Sequence, residues 1–134
     1  MHGCGVAFFI FGGQMDITKV LSILKKESNF KNNVGMILIH NGVVRGISRN
    51  GKKVKKLLVK SDNKKIEQIR KKYESKNGIF KIVIEPRSGE FEPGDDLLWI
   101  IVAGDVRDNV KEVLSDLLDE VKSTAIEKKE ILDD

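Results

Sequence analysis

The seven residues from Leu97 to Ala103 constrain the fold of this chain more than any other segment, because all of them are apolar. The turn-forming sequence Pro93-Gly94-Asp95 precedes this run, and Gly104 ends it. An uninterrupted apolar run with β-branched residues at its centre is typical of a strand that is covered on both faces. Arg107 follows at the start of a helical pattern, where an arginine is well placed to meet an anion. The sequence therefore predicts a buried central strand with a cation just beyond its end.

The composition is that of a folded globular domain. The chain has 134 residues, of which 40% are hydrophobic and 33% charged, and this length allows one domain with one core. Cys4 is the only cysteine in the sequence, so an intramolecular disulfide is excluded and a cytoplasmic location is expected. No apolar run approaches the roughly 20 residues that a membrane-spanning helix needs, so association with a membrane is not expected.

Residues 1–14 differ in character from the rest of the chain. Their apolar part is too short to span a bilayer, and no basic segment precedes it as in a signal peptide. We expect residues 1–14 to be an extension or tag ahead of Met15, and residues 15–134 to form a single domain. The alternative is a first strand over residues 6–11 that joins the sheet.

Apolar residues at helical spacing predict three helices. The first covers residues 17–27 with Asp16 as its N-cap, the second covers 64–73, and the third begins at residue 105 or 106. Residues 28–33 are expected to form a turn-rich break, and residues 123–134 a charged tail. The third helix carries an apolar stripe that extends to Val121.

Four strands are predicted, over residues 34–40, 53–60, 80–84 and 97–103. Asn41-Gly42 is typical of a tight hairpin turn, but the extended pattern of residues 43–45 fits a bulge or bend equally well, and residues 49–51 are the better hairpin turn. Lys81 falls inside the third strand and is expected at a sheet edge, or with its ammonium group reaching solvent. The order of elements indicates an α+β fold in which helices pack on a sheet.

Positive charge is concentrated in the middle of the chain. Twelve lysines and arginines but only two acids lie between Arg45 and Lys72. Such a region can attract phosphate, nucleic acid or an acidic protein, or it can simply be a solvated surface. A nucleic-acid-binding module is the weaker alternative, because Tyr73 is the only aromatic residue next to the basic region and stacking platforms are scarce.

Several kinds of chemistry are disfavoured by what the sequence lacks. His2 and His40 are the only histidines, which leaves no metal cluster and no Ser/His/Asp triad. The glycine-rich pieces match neither a P-loop nor a dinucleotide fingerprint. No metal or redox cofactor is therefore predicted. The chemistry that remains is that of lysine and arginine, which bind anions and, when the pKa of a lysine is lowered, transfer protons.

Three segments in order resemble the large, catalytic subunit of molybdopterin synthase. The first is Gly35-Met-Ile-Leu-Ile-His-Asn-Gly-Val-Val-Arg45, which is similar to the family's glycine, apolar strand and Gly-x-Val-Arg. The second is Arg87-Ser-Gly-Glu90 with Pro93-Gly94-Asp95. The third is Arg107 at a helix start, followed by Lys122 and Lys128-Lys129-Glu130. The resemblance covers residues 34–130.

The resemblance implies an α/β-hammerhead-like α+β fold, with an antiparallel or mixed sheet and flanking helices. It implies a step of molybdenum cofactor biosynthesis, in which two sulfurs are added to cyclic pyranopterin monophosphate to form the dithiolene of molybdopterin. The sulfur donor is the thiocarboxylate at the C-terminal Gly-Gly of a small ubiquitin-like subunit. The large subunit is expected as a homodimer within a heterotetramer.

The resemblance also implies roles for individual residues. The family's two active-site lysines correspond to Lys122 and Lys128, which are the expected catalytic residues. Substrate-binding roles are expected for Arg45, Arg107, Arg87, His40 and Lys129. From the residues alone, Arg107 fits a surface ion pair equally well, and Lys122 fits a solvated lysine that the helix dipole favours. Arg87 either joins the anion pocket or holds the nearby loop.

Four departures from the family pattern bear on the chemistry. Val106 and Pro86 stand where the family has histidines, and His40 stands where it has a phenylalanine. The segment before the second lysine, Ala125-Ile126-Glu127, is one residue shorter than in the family. Two hypotheses follow: a divergent synthase, or a non-catalytic homologue that binds a ubiquitin-like partner or a phosphorylated ligand.

Overall fold

A computed structural model describes residues 10–11 and 14–133 of the chain. The helices are α1 (Ile17–Lys25), α2 (Phe30–Asn33), α3 (Asn63–Glu74) and α4 (Arg107–Thr124). The strands are β1 (Ile10–Phe11), β2 (Gln14–Met15), β3 (Met36–Val43), β4 (Val54–Ser61), β5 (Ile79–Pro86), β6 (Gly89–Phe91), β7 (Asp96–Gly104) and β8 (Ile126–Leu132). None of these helices has the length and apolar character that crossing a bilayer requires.

Two antiparallel three-stranded sheets form the body of the fold. One has the order β3-β7-β5, and the other has the order β6-β4-β8. The predicted α+β class with antiparallel sheets and flanking helices is confirmed. The predicted central strand is confirmed as well, because β7 pairs with β3 on one side and with β5 on the other.

Both faces of β7 are buried because successive side chains of a strand point to opposite faces. Leu98, Ile100 and Val102 belong to a large apolar cluster with residues of α3, α4 and β4. Ile101 and Ala103 belong to a smaller cluster that includes residues of α1. The apolar run of β7 thus serves two cores, with α3 and α4 on one side of the sheet and α1 on the other.

The N-cap predicted at Asp16 is confirmed, and Asp62 caps α3 in the same way. The Asp16 carboxylate accepts a hydrogen bond from the Lys19 backbone N–H at 3.1 Å, and Asp62 accepts one from the Lys65 N–H at 3.0 Å. Each satisfies one of the N–H groups that a helix leaves free at its first turn. α4 begins without a side-chain cap on its N-cap residue Val106.

Two connections were predicted from their turn residues and are confirmed. β3 continues through Asn41-Gly42 with an irregularity of register between Gly42 and Val43. The segment 46–53 closes as a hairpin in which the Ser48 hydroxyl oxygen accepts a hydrogen bond from the Lys52 N–H at 3.1 Å. Gly51 sits at φ +82° in this hairpin, a conformation that glycine adopts without strain.

Lys81 lies in β5, which is an edge strand of its sheet as predicted, but the residue is buried there. Its side chain is 5% exposed, and its Nζ lies 3.2 Å from Oε1 of Glu27. Glu27 follows the end of α1, which packs over this face of the sheet, so tertiary packing supplies the acidic partner that a buried ammonium group requires.

Two further segments differ from the sequence predictions. Residues 28–33 contain the short helix α2, and the charged tail contains β8, which pairs with β4 from Ser61↔Ile126 to Val54↔Leu132. The amphipathic pattern of β8 is weak because four of its seven residues are charged. Most of residues 1–14, including residues 6–9 of the alternative strand over 6–11, lie outside the described residues, so the prediction of an extension stays a prediction. Ile10–Phe11 form β1, which pairs with β2 in a sheet of its own.

The burial of β7 predicts that two isoleucines on neighbouring strands contribute unequally to the free energy of unfolding. Ile101 is 0% exposed, and its register partner Ile39 is 40% exposed. Ile101→Ala should lower the free energy of unfolding by about 2–5 kcal/mol, because it leaves a cavity in the core. Ile39→Ala, the matched control, should cost about 1 kcal/mol or less. Urea denaturation measures both, and equal costs would contradict the assigned burial.

Candidate functional site

A cavity of about 100 Å³ lies where the end of β3, the C-terminus of α4 and β8 meet. The charged side chains in its lining are Lys122 and Lys128. Its remaining lining residues are Gly42, Val43, Val59, Leu97, Leu98 and Ile126. This space is large enough to admit an anionic group of several atoms between the two lysines.

A tight connection brings the two lysines to the same cavity. Lys122 lies in the last turn of α4, and the helix ends at the C-cap Ala125. The Ala125 carbonyl accepts a hydrogen bond from the Asp62 N–H at 2.8 Å, and β8 begins at the next residue. Lys128 is therefore only a short distance along β8 from the helix end that carries Lys122.

Lys128 has the ammonium group that this arrangement perturbs most. Burial lowers its pKa, and the charges of Lys122 and Arg49 lower it further, while Glu130 opposes them. Much of the residue nevertheless remains exposed, so the perturbation is confined to the surroundings of the ammonium group. A lysine with a lowered pKa has more free amine at neutral pH and can accept or donate a proton during a reaction.

His40 lies on β3 next to the lysine pair. Its pKa is lowered by burial first and then by the charges of Lys122 and Lys128, so the neutral imidazole is favoured. The Nε2 atom is buried and has no hydrogen-bond partner among the described residues. It lies beside Gly42, since a Cβ added there would come within 3.4 Å of Nε2. Of the predicted site residues, Lys122 and Lys128 thus line the cavity, and His40 lies beside Gly42 within reach of their charges without being a lining residue.

Arg49 belongs to the same electrostatic cluster, although the sequence indicated it only as part of a turn. The 46–53 hairpin returns along β4, with the bridge Ile47↔Lys53 at its base, and places Arg49 where its charge acts on Lys128. The only signal in the sequence for this role of Arg49 was its place in the basic region. Local spacing does not show that this turn folds back toward β8.

Arg87 holds a loop. Its Nη1 donates a hydrogen bond to the backbone oxygen of Asp96 at 2.9 Å, and its guanidinium lies over the Phe91 ring at 5.0 Å from the centroid. These contacts tie the start of the β5–β6 connection to β7. Of the two roles considered for Arg87, they fit the loop-holding one.

Arg45 and Arg107 are exposed, and neither lines the cavity. Arg45 follows Val44, whose N–H donates to the Asp95 backbone oxygen at 2.9 Å, near the turn before β7. Arg107 is the first residue of the 18-residue helix α4, and Lys122 is in its last turn. At 1.5 Å per residue the two are about 22 Å apart along the axis. Arg107 therefore does not join the lysine pair within one chain.

An open groove of about 290 Å³ lies beside the cavity, on the β6-β4-β8 sheet. It shares Val59 and Lys128 with the cavity. Its other lining residues are Leu58, Lys60, Gly89, Glu90, Glu127 and Lys129. Lys129 thus lines the groove rather than the cavity, and Lys128 stands between the two.

Part of the basic region is neutralised by ion pairs. Arg70 contacts Glu67 and Glu74 at 2.8 Å each, and Lys72 contacts Glu120 at 2.6 Å. The Glu120 carboxylate also accepts a hydrogen bond from the Tyr73 hydroxyl at 2.8 Å. Burial and Glu120 together raise the pKa of Tyr73 to about 12. Within the part of the chain that the structure describes, no three His, Cys, Asp or Glu side chains are grouped to hold a metal ion.

These features define an α+β protein whose lysine pair is suited to an anionic substrate. The sequence model of the MoaE protein family matches residues 13–124, which is most of the chain. The chain therefore belongs to the MoaE protein family, which comprises the large subunits of molybdopterin synthase, and its role lies in molybdenum cofactor biosynthesis. The match includes Lys122 and ends before Lys128. The resemblance noted in the sequence is confirmed.

Solved structures share the fold. Molybdopterin synthase from Staphylococcus aureus superposes with a TM-score of 0.74 at 21% identity, covering 93% of this chain and 90% of that chain. Molybdopterin cofactor biosynthesis protein E from Burkholderia multivorans ATCC 17616 has a TM-score of 0.68 at 19% identity, covering 89% of this chain and 85% of that one. No curated protein sequence matches the chain significantly.

A third structure of this fold is a complex. It contains subunits 1 and 2 of molybdopterin-converting factor from Helicobacter pylori 26695. The TM-score is 0.65 at 20% identity, and the superposition covers 88% of this chain and 80% of that chain.

The lowered pKa of His40 predicts a specific pH dependence of stability. The unfolded chain binds a proton to this imidazole near its ordinary pKa of about 6.5, whereas the folded chain binds it only at lower pH. The free energy of unfolding should therefore fall as the pH is lowered from about 7 through this range. His40→Phe should remove this part of the decline. Urea denaturation in phosphate-free buffers measures it, and an identical decline in both proteins would contradict the prediction.

Proposed function

We propose that this chain is the large, catalytic subunit of a molybdopterin synthase. It transfers sulfur from the C-terminal thiocarboxylate of a small ubiquitin-like subunit to cyclic pyranopterin monophosphate. The observation that carries the proposal is the meeting of Lys122 and Lys128 at an anion-sized cavity, with the pKa of Lys128 lowered. We place the reaction in the cytoplasm, which the single cysteine favours.

The cavity supplies two things that the reaction requires. Both the thiocarboxylate and the substrate phosphate are anions, and two lysines among the apolar residues Val59, Leu97 and Leu98 attract them more strongly than they would in bulk water. The lowered pKa of Lys128 provides an amine that can take up or deliver a proton as sulfur is transferred. Lys122 contributes a second positive charge next to Lys128.

The groove next to the cavity is the proposed path of the small subunit's C-terminus. It leads to Lys128, which borders both spaces. Two glycines in extended conformation span about 7 Å and have no side chains to exclude, so such a tail fits a shallow groove over strands. The two-subunit complex from Helicobacter pylori supports a partner of this kind.

A homodimer would complete the anion site. Arg107 lies about 22 Å from Lys122 in the same chain, so it can serve a lysine cavity only if a second copy presents it. The neighbouring Val106 is 55% exposed, which suits a surface that a partner covers. In this arrangement Arg107 of one copy binds the substrate phosphate near the lysines of the other.

The first test is reconstitution with a thiocarboxylated small subunit and cyclic pyranopterin monophosphate. The wild-type chain should form the dithiolene product. Lys128→Met and Lys122→Met should each lower the rate by about 100-fold or more, because a proton-transfer group and a charge next to it are lost. Lys111→Met is the control, because this lysine is exposed on α4 and contributes to neither the cavity nor the groove.

The same experiment separates the synthase from a binding homologue. Val106 and Pro86 in place of the family's histidines favour the homologue as the second candidate. If the folded wild-type protein binds the small subunit but forms no product, only the binding role remains. Absence of both binding and product would remove both candidates.

The shared site predicts complementation between two inactive variants. Lys128→Met and Arg107→Met homodimers should each be strongly impaired. After mixing and subunit exchange, half of the dimers are mixed, and each mixed dimer has one intact site, so about a quarter of wild-type activity should return. No recovery, with mixed dimers verified by mass spectrometry, would exclude a site made from two copies.

A further inference from the structure

His40 adds a buried polar atom without a protein partner to the lysine cluster. Its Nε2 is buried and makes no hydrogen bond with the described residues. A buried polar atom without a protein partner is costly, so a group that hydrogen-bonds to this atom on entering the site gains from the contact. Gly42 lines the cavity beside this nitrogen, and its lack of a side chain leaves space there.

The groups that face His40 are cationic or apolar. α4 contributes Lys122 and β8 contributes Lys128, and these are the charges that act on the imidazole. On β7, the register partner of His40 is Ile100. The nearest acid on β7 is Asp96, whose carboxylate accepts a hydrogen bond from the Asn41 side-chain amide at 3.0 Å. Asn41 and His40 are successive residues of β3, so their side chains point to opposite faces of the sheet.

We propose that His40 is the proton acceptor of this cavity. Its imidazole is neutral while the cavity is empty and becomes imidazolium when an anion lies between Lys122 and Lys128. The inference rests on the proposed function only in using the same cavity, and it concerns anion binding rather than sulfur transfer.

The physical reason is the sign of the local field. In the empty cavity, a proton on His40 would be the third positive charge in a partly desolvated space. An anion between the lysines reverses that field and can accept a hydrogen bond from the new Nε2–H. The proton comes from solvent, so binding of the anion takes up at most one proton. The only covalent changes are the N–H bond formed at Nε2 and the bond to hydrogen that breaks in the solvent donor.

Linkage fixes how the affinity depends on pH. Between the titration midpoint of the empty protein and the higher midpoint of the complex, the affinity for the anion rises as the pH falls, by as much as about tenfold per pH unit. Without His40 the dependence is flat for an anion that does not itself titrate in this range.

The ligand chemistry that fits is an anionic oxygen or sulfur, which either a phosphate group or a terminal thiocarboxylate supplies. Two probes separate these sources. Sulfate represents a tetrahedral oxyanion and does not titrate near neutral pH. An N-acetylated peptide that ends in Gly-Gly represents the carboxylate end of a carrier protein. The probe that shifts His40 identifies which of the two occupies the space between the lysines.

The test is a proton NMR titration of the imidazole signals from about pH 5 to 8 at constant ionic strength. The chain has two histidines, and His40→Phe assigns the two signals. With sulfate or the peptide, the midpoint of His40 should move to higher pH while that of His2 stays in place. Lys122→Met should raise the His40 midpoint without any anion and reduce the further shift. Lys111→Met should behave as wild type.

Calorimetry supplies an independent readout. Binding of the effective probe, measured in buffers of different ionisation enthalpy, should show proton uptake by wild type and none by His40→Phe. A His40 midpoint that neither probe moves would overturn the inference, even if synthase activity is found. A shifted midpoint in a protein that makes no product would leave the inference standing and remove the synthase.

Discussion

Two-sided burial of β7 is the constraint on which the rest of the structure depends. Because both faces of this strand are apolar, α1 must cover one face while α3 and α4 cover the other. The buried residues of α4, Val110, Val113, Leu117 and Val121, fix the axis of that helix over the sheet. Its C-terminal turn therefore has one position, and Lys122 is delivered to the junction of the two sheets.

The position of the lysine pair at the junction of the two sheets explains why the pKa of Lys128 is lowered. Most lysines of the basic region lie on exposed surfaces, where water screens them, and some pair with glutamates. At the cavity, Lys122 and Lys128 approach one another across apolar side chains, and no carboxylate lines the space. Burial and like charge then act in the same direction, and both lower the pKa of Lys128. The charge on the lining of the cavity is therefore positive, and Glu130 offsets it only from outside that lining.

Features set by local patterns could be predicted from the sequence, and features set by tertiary contact could not. The central strand, the caps at Asp16 and Asp62 and the hairpin at 46–53 depend on residues close in the chain. β8 was missed because its charged sequence becomes a strand only through pairing with β4. The partner of Lys81 was missed because α1 supplies it from more than 50 residues away.

The candidate site also combines features that the sequence could predict with features that only tertiary contacts determine. Lys122, Lys128 and His40 were found through a resemblance in which order along the chain carries the signal, and the fold brings them together. The resemblance could not show that α4 separates Arg107 from Lys122, because the distance is a property of helix length. It could not show Arg49 either, since its action on Lys128 requires the hairpin to fold back along β4.

The position of the imidazole decides what kind of chemistry this site can support. Positions 86 and 106, where the resemblance led us to expect histidines, hold proline and valine, and Val106 lies at the far end of α4 from Lys122. His40 stands instead on β3 beside both lysines, with its Nε2 buried. A histidine at an exposed helix start titrates largely independently of the cavity, whereas His40 shares its field with whatever enters between Lys122 and Lys128. The one imidazole among the described residues therefore lies beside the lysine pair and not at the start of α4.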